Sequence, residues 1–189
     1  MRQNGLRTTG LGGWMAAVMV AAALAPGAAA RAAVPPSAAI GEQAEAAAAV
    51  RKPEINGFMT IVNKARADVG VLPLVWDDTL TAHARHWARL RVDDCGLIHS
   101  NSRYGENLAK GTSADFSMPD AARLWVEEKP DYDRAANSCV KGKPCLHYTQ
   151  VVWRTSTRVG AAKVRCGNGW TYVVANFDPP GNWVGRRPY

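Results

Sequence analysis

The sequence predicts an α+β domain built in three layers, an α-β-α sandwich around a small antiparallel sheet. Two observations lead to this fold class. Apolar residues recur three and four positions apart in several segments, as they do on the buried side of helices. Residues 159–166 and 170–177 are two strand-like segments separated only by the turn sequence GNG, which is typical of a β-hairpin.

Residues 1–30 have the order of a secretory signal peptide: Arg2 and Arg7, then an apolar run over 11–24, then small residues. An uncleaved anchor is the alternative, but this run is shorter than the about 20 residues that span a bilayer. We expect cleavage after Ala30 or Ala33 and an extracellular protein, with the periplasm as the alternative compartment. Cleavage after Ala30 lowers the net charge from +7 to +5, because it removes two arginines and no acidic residue. No integral membrane segment is expected after it.

Residues 31–53 follow as a segment rich in alanine and proline, with few large apolar side chains. Such a composition cannot bury enough surface to order itself, so we predict a disordered linker with at most a transient helix over 42–50. The folded domain is predicted to cover 54–189, a length that suits one domain with a single core.

Two helices open the predicted domain. The first covers 54–69, has an amphipathic pattern and ends at Gly70. The second begins after an N-cap aspartate, either Asp77 or Asp78. Its predicted buried face consists of Leu80, Ala84, Trp87 and Leu90.

The remaining elements alternate with loops. A short strand is expected over 104–108. A third helix begins near Pro119 and runs to Glu128, because proline suits the first turn of a helix and Pro130 stops it. A fourth helix begins near His147. The segment before it has the composition of a loop, and the proline- and glycine-rich C-terminus is predicted to be an irregular tail.

Four cysteines in an exported chain predict two disulfides, since the oxidising compartment allows them to form. Three pairings are possible from the sequence. Cys139 and Cys145 enclose a short loop that can close locally, and in that case Cys95 pairs with Cys166. A zinc–thiolate site is less favoured, because no two cysteines have the CxxC spacing.

Four ionisable residues stand at the ends of predicted elements: His99, Glu106, Glu128 and His147. If they converge, two imidazoles and two carboxylates supply the nitrogen and oxygen ligands that zinc prefers, with a position left for water. They can equally form two Glu–His hydrogen-bonded pairs that fix loops to helices without a metal. The spacing of the residues does not decide between these arrangements.

Several other classes of function are disfavoured. The sequence has no GxSxG motif and no glycine-rich phosphate loop, and its cysteines are expected in disulfides rather than as nucleophiles. Nucleic-acid binding is disfavoured because the chain is exported and its basic residues follow no recognition motif.

Four longer motifs carry a resemblance to a known family. The chain resembles the CAP superfamily, or SCP domain, of cysteine-rich secretory proteins, antigens and pathogenesis-related proteins, and is most similar to the plant pathogenesis-related branch. The resemblance covers about 54–189. The motifs are GENLAKG (105–111), LWVEEKPDY (124–132), HYTQVVWR (147–154) and NFDPPGNWVGRRPY (176–189).

The resemblance implies an α-β-α sandwich whose cleft holds the tetrad of His99, Glu106, Glu128 and His147. In several family members this cleft binds zinc or another divalent cation, and lipid or sterol binding is known in parts of the family. It also implies the disulfides Cys95–Cys166 and Cys139–Cys145, because the family's third pair falls on Ala161 and Ala175 here.

The resulting hypothesis is binding rather than catalysis. The ligand is a lipid, a sterol or another envelope or host molecule, and Tyr148, Gln150 and Trp183 are the candidates for lining its groove. One alternative is a metal-dependent, peptidase-like hydrolase in which His99 and His147 hold zinc and a glutamate acts as general base. The other is a structural or adhesion module whose tetrad only fixes loops.

Overall fold

The computed structural model describes residues 36–189, with side chains from Lys52 onward. The predicted signal peptide, residues 1–30, lies outside the described residues. Within 36–189, no helix combines the length and the apolar content that a membrane crossing requires. The helices are α1 (Pro36–Ala67), α2 (Asp78–Leu90), α3 (Met118–Glu127) and α4 (Leu146–Val151), and the strands are β1 (Val75–Trp76), β2 (Gly105–Gly111), β3 (Tyr132–Asp133), β4 (Ser138–Cys139), β5 (Arg158–Arg165) and β6 (Thr171–Asp178).

Helix α1 is longer than the sequence predicts. It starts at Pro36, so most of the segment predicted as a disordered linker, 31–53, is helical. Alanine has the highest helix propensity, and an alanine-rich segment can extend a helix that tertiary packing already holds. The predicted amphipathic part buries Phe58 and Val62 completely. The helix ends at Ala67, two residues before the predicted end, and the turn that follows contains Gly70, the predicted stop residue, whose positive φ of 71° reverses the chain.

Helix α2 begins at the predicted N-cap, because the Asp77 side chain accepts a hydrogen bond from Leu80 N. Its buried face is rotated from the predicted one: Trp87 is only partly buried and Leu90 is 51% exposed. Small residues face the sheet instead, because α2 crosses so close to Gly160 that a Cβ there would collide with the helix backbone. The buried residues of α2 are Leu80, Thr81, Ala84 and Ala88.

One mixed sheet lies at the centre of the molecule, in the order β1-β5-β6-β2. The predicted hairpin is confirmed as the antiparallel pair β5–β6, with Ala161 opposite Ala175. Strand β6 is almost wholly buried. Helix α2 packs on one face of the sheet, and α1, α3 and α4 form the layer on the other face. The α-β-α sandwich predicted from the sequence is therefore confirmed.

Two disulfides tie the loops to this frame. Cys95 pairs with Cys166 and Cys139 with Cys145, which is the predicted pairing. The segment predicted as a plain loop, between α3 and α4, contains a 3₁₀ turn at Lys129–Asp131 and the two-stranded ribbon β3–β4. The short disulfide links the end of that ribbon to the start of α4.

Candidate functional site

The first histidine of the predicted tetrad is bound to its glutamate. His99 Nδ1 lies 2.9 Å from Glu106 Oε1, in a loop that follows Cys95. Glu106, on β2, is only 5% exposed in its side chain. Its carboxylate also accepts hydrogen bonds from Ser100 N at 2.9 Å, Ser100 Oγ at 2.6 Å and Asn176 Nδ2 at 3.2 Å. These bonds fill the acceptor positions of the carboxylate, while the His99 side chain stays 58% exposed.

The second histidine is held in the same way from the opposite layer. His147 Nδ1 lies 2.6 Å from Glu128 Oε1. The other oxygen, Glu128 Oε2, accepts from the backbone N–H groups of His147 and Tyr148 at 3.0 and 3.2 Å. The first turn of α4 has no cap from its own N-cap side chain, so Glu128 takes N–H groups that a helix start leaves without partners. The ring of His147 stacks on Trp125, with centroids 6.3 Å apart.

Three members of the tetrad line one open cleft of about 410 Å³: His99, Glu106 and His147. Glu128 does not line the cleft. It holds the imidazole of His147, which does. Asn107, next to Glu106, links the His99–Glu106 pair to the His147–Glu128 pair, since its Nδ2 donates to His147 O at 3.0 Å. The structure therefore brings the two Glu–His pairs to one place.

Each of the two imidazoles leaves one ring nitrogen for an external ligand. Both Nδ1 atoms are engaged by carboxylates, and neither Nε2 atom of His99 and His147 has a hydrogen bond within the described part of the chain. A histidine that ligates a metal typically gives its other nitrogen to a carboxylate in this way. Across the residues with described side chains, no group of three or more His, Cys, Asp and Glu is placed to hold a metal ion. The glutamates thus orient the histidines, and the arrangement differs from a four-ligand set.

An apolar groove of about 320 Å³ opens beside the cleft. Cys139, Cys145, Leu146 and Asn182 belong to the walls of both. Three large apolar residues of the groove are exposed: Leu146 by 62%, Trp183 by 56% and Val184 fully. Trp183 lines this groove, and its contact with a ligand stays a prediction.

Tyr148 and Gln150, the other two predicted groove residues, lie elsewhere, with only 0% and 2% of their surface exposed. They hold the C-terminal tail against α4. Gln150 Oε1 accepts from Gly181 N at 3.0 Å, and the Tyr148 hydroxyl lies 3.4 Å from that of Tyr189. Burial, and then the neighbouring Tyr189, raise the pKa of Tyr148 above its ordinary value. The prediction that Tyr148 and Gln150 line the ligand groove is therefore wrong, because both side chains are buried and their hydrogen bonds are internal.

Asn182 is a site residue that the sequence did not reveal. Its φ of 57° lies in the left-handed region, where asparagine is tolerated. Its Oδ1 accepts from Thr149 Oγ1 at 2.7 Å and its Nδ2 donates to Leu146 O at 2.8 Å, so it fastens the tail to α4 between cleft and groove. It lies in a segment without periodicity, and only the resemblance of the tail motif pointed to this region.

Comparisons with known proteins agree with this geometry. The model of the cysteine-rich secretory protein family, CAP, matches residues 59–177. Pathogenesis-related leaf protein 4 of Solanum lycopersicum is 54% identical over 132 residues, covering 70% of this chain and 81% of the relative. Pathogenesis-related protein 1A of Nicotiana tabacum is 52% identical over 132 residues, covering 70% of this chain and 79% of the relative.

Solved structures share the fold. Schistosoma mansoni venom allergen-like protein 4 superimposes with a TM-score of 0.54 at 26% identity, covering 71% of this chain and 92% of that one. The crystal structure of NaASP2 with Zn2+ has a TM-score of 0.58 at 19% identity, covering 73% of this chain and 85% of that one. The motifs, the fold and the matched relatives together show that the chain belongs to the cysteine-rich secretory protein (CAP) family.

Proposed function

We propose that this protein is an exported binding protein whose ligand is a lipid amphiphile, a fatty acid or a sterol. The observation that carries the proposal is the apolar groove around Trp183, which shares a wall with the polar cleft of His99 and His147. An amphiphile needs such a pair of adjoining surfaces, one apolar and one polar. Exposed apolar side chains grouped at a groove are typical of ligand sites.

The polar side of the site favours a fatty acid as the first ligand to test. Lys143 lines the cleft next to the shared wall and supplies a positive charge for a carboxylate head. Leu146, Trp183 and Val184 supply apolar contact area for the chain of the lipid. A sterol, with a hydroxyl head, gains less from Lys143, and the two ligands are therefore separate arms of the experiment.

The test is equilibrium binding of radiolabelled oleate and of cholesterol to the exported chain, residues 31–189. Trp183→Ala is expected to weaken binding at least about tenfold, because it removes a large aromatic contact surface at the groove. Leu72→Ala is the control, since Leu72 is 81% exposed and does not line the groove. Absence of binding to both ligands, or equal losses in both variants at unchanged melting temperature, contradicts the proposal.

We also propose that the cleft binds a divalent cation through the Nε2 atoms of His99 and His147. When bound, such a cation supplies a positive charge that attracts an anionic head group.

Titration calorimetry with Zn2+ tests this assignment. It should give one site per chain, and this site should be lost in the His99→Ala, His147→Ala double variant. Glu128→Gln should weaken it about 10- to 100-fold, as expected for a residue that orients a ligand. His86→Ala, on the exposed side of α2, is the control. Zinc binding that survives the double variant contradicts this assignment.

The geometry favours binding over hydrolysis. A general base must be free to accept a proton from water, and the carboxylates of Glu106 and Glu128 are already engaged by their histidines and neighbouring N–H groups. Peptidase activity that depends on both His99 and His147 would favour the hydrolase instead. Absence of both zinc and lipid binding would favour a structural module.

A further inference from the structure

Strand β5 has an open edge. Strand β1 pairs with it only at Arg158 and Val159, and no strand in the described part of the chain continues this pairing. The last bond runs from Asp77 N to Val159 O at 2.9 Å. Because alternate residues of a strand direct their main-chain groups to the same side, those of Ala161 and Lys163 face the open edge.

The open edge forms the floor of a groove of about 500 Å³, which shares no lining residue with the histidine cleft. Helix α2 makes one wall, with Arg85 and Arg89 among its residues. Ile55 of α1 and Met118 of α3 belong to the other wall, and Trp76 of β1 closes one end. The main-chain groups of β5 are therefore recessed between two helical layers.

We propose that this groove is a docking site for an extended peptide that carries an acidic side chain and adds a strand to the sheet beside β5. Main-chain N–H and C=O groups on a strand edge are a template for a further strand. The peptide would occupy the position that β1 vacates after Trp76. The partly buried side chain of Ile55 provides an apolar contact for the peptide.

The charges of the groove select the acidic side chain. Arg85 and Arg89 are one helical turn apart, and neither has an ion-pair partner among the residues whose side chains are described. Glu54 is already engaged, because it lies 2.9 Å from Lys163 Nζ and accepts from Met118 N. Asp78 lies at the other end of α2, beside Trp76. The peptide's carboxylate is therefore placed near the two arginines.

A second copy of this chain is a poorer occupant. Its own β5 edge is recessed between two helical walls, so two such edges cannot approach to hydrogen-bonding distance, whereas a single extended strand fits. Lys163 and Arg165 would also lie close to their copies across the new pairing, and like charges in cross-strand pairs are destabilising. The geometry thus points to a peptide rather than to a dimer.

The experiment selects a random heptapeptide library, displayed on phage, against the immobilised chain of residues 31–189. The most enriched peptide is then synthesised and its dissociation constant measured. We expect acidic residues in the enriched peptides and at least tenfold weaker binding to the Arg85→Glu, Arg89→Glu double variant. The matched control is the Lys141→Glu, Arg154→Glu double variant, which reverses two exposed charges outside the groove. It should bind within twofold of the parent.

Two further measurements identify strand addition. N-methylation of alternate peptide amides should abolish binding, since it removes main-chain donors without changing charge. Hydrogen exchange followed by NMR should show protection of the Ala161 and Lys163 amides on peptide binding. Enriched peptides that bind both double variants equally, protection confined to other strands, failure to enrich any peptide, or a peptide-free dimer with a protected β5 edge would each overturn the proposal.

Discussion

Arg66 shows how a single side chain fixes the helix that carries His147. It is 1% exposed, although it belongs to an amphipathic helix on which arginine usually faces water. Its Nη1 donates to Val151 O and Trp153 O, each at 2.9 Å, and its Nη2 donates to Ser156 O at 2.8 Å. Burial lowers the pKa of Arg66 to about 10. The guanidinium thus binds carbonyls at the end of α4 and in the segment just after it, where a helix leaves carbonyl groups without intrahelical partners.

Replacing this residue tests the role. Arg66→Met keeps much of the side-chain volume but leaves several buried carbonyls unpaired, so we expect a loss of about 3 kcal/mol or more in the free energy of unfolding. Urea denaturation at pH 7 measures it. Arg123→Met is the control, because Arg123 is 56% exposed in its ion pair with Asp120 and should change stability by less than about 0.5 kcal/mol. Equal effects of the two changes would contradict the role of Arg66.

For single residues, the sequence predicts the cleft residues better than it predicts the buried polar side chains that hold the fold together. The positions of the four tetrad residues at element ends and the family resemblance predict their convergence, and the structure pairs His99 with Glu106 and His147 with Glu128. The sequence prediction contains no role for Arg66 and wrongly places Gln150 in the ligand groove, since both side chains bind main-chain groups far away in sequence and no spacing pattern marks such contacts. Burial of a polar residue depends on the whole fold.

Among the elements, α2 depends on its N-cap. The pKa of Asp77 is lowered, mainly by the hydrogen bond from Leu80 N and further by the nearby Arg158. A lowered carboxyl pKa means that the unfolded chain binds more protons than the native one in acid. The stabilisation is therefore present above about pH 4, the ordinary range for aspartate, and is lost as the pH falls through the folded-state pKa.

Asp77→Ala should accordingly destabilise the protein by about 1 kcal/mol at pH 7, and its effect should be smaller at pH 3. Urea denaturation at both values checks this. Asp93→Ala serves as the comparison, because Asp93 is exposed and has no hydrogen bond among the described contacts. If the cost of Asp77→Ala is the same at both pH values, the carboxylate charge does not contribute to the cap.

Elements held by local signals could be predicted, and elements held by distant pairing could not. The β5–β6 hairpin followed from a short turn, and α3 begins within a residue of the predicted start, with Ser117 and Asp120 forming a capping box. Strand β1 has two residues and exists only because Arg158 and Val159 lie beside it. Such a strand has no periodicity to detect.

In the whole molecule, the two disulfides differ in how much they contribute to the free energy of unfolding and in whether they also shape the groove. Cys95 and Cys166 are 71 positions apart, and on the chain-entropy model this bridge is worth about 4 kcal/mol. Cys139 and Cys145 are 6 positions apart, which corresponds to about 2 kcal/mol.

Replacing both cysteines of a bridge by alanine should therefore lower the free energy of unfolding more for the long bridge than for the short one, as measured by urea denaturation. Only removal of the short bridge should also weaken oleate binding beyond its effect on stability, because both its cysteines line the groove. The reverse order would contradict the entropic account.

The positions of these bridges link the redox state of the protein to the order of its cleft. Each cleft histidine follows closely after a bridged cysteine, His99 after Cys95 and His147 after Cys145. Each bridge therefore restrains the segment that leads to one of the two imidazoles. Because thiols stay reduced in the cytosol and disulfides persist in oxidising compartments, we expect both segments to be restrained in this way only under oxidising conditions.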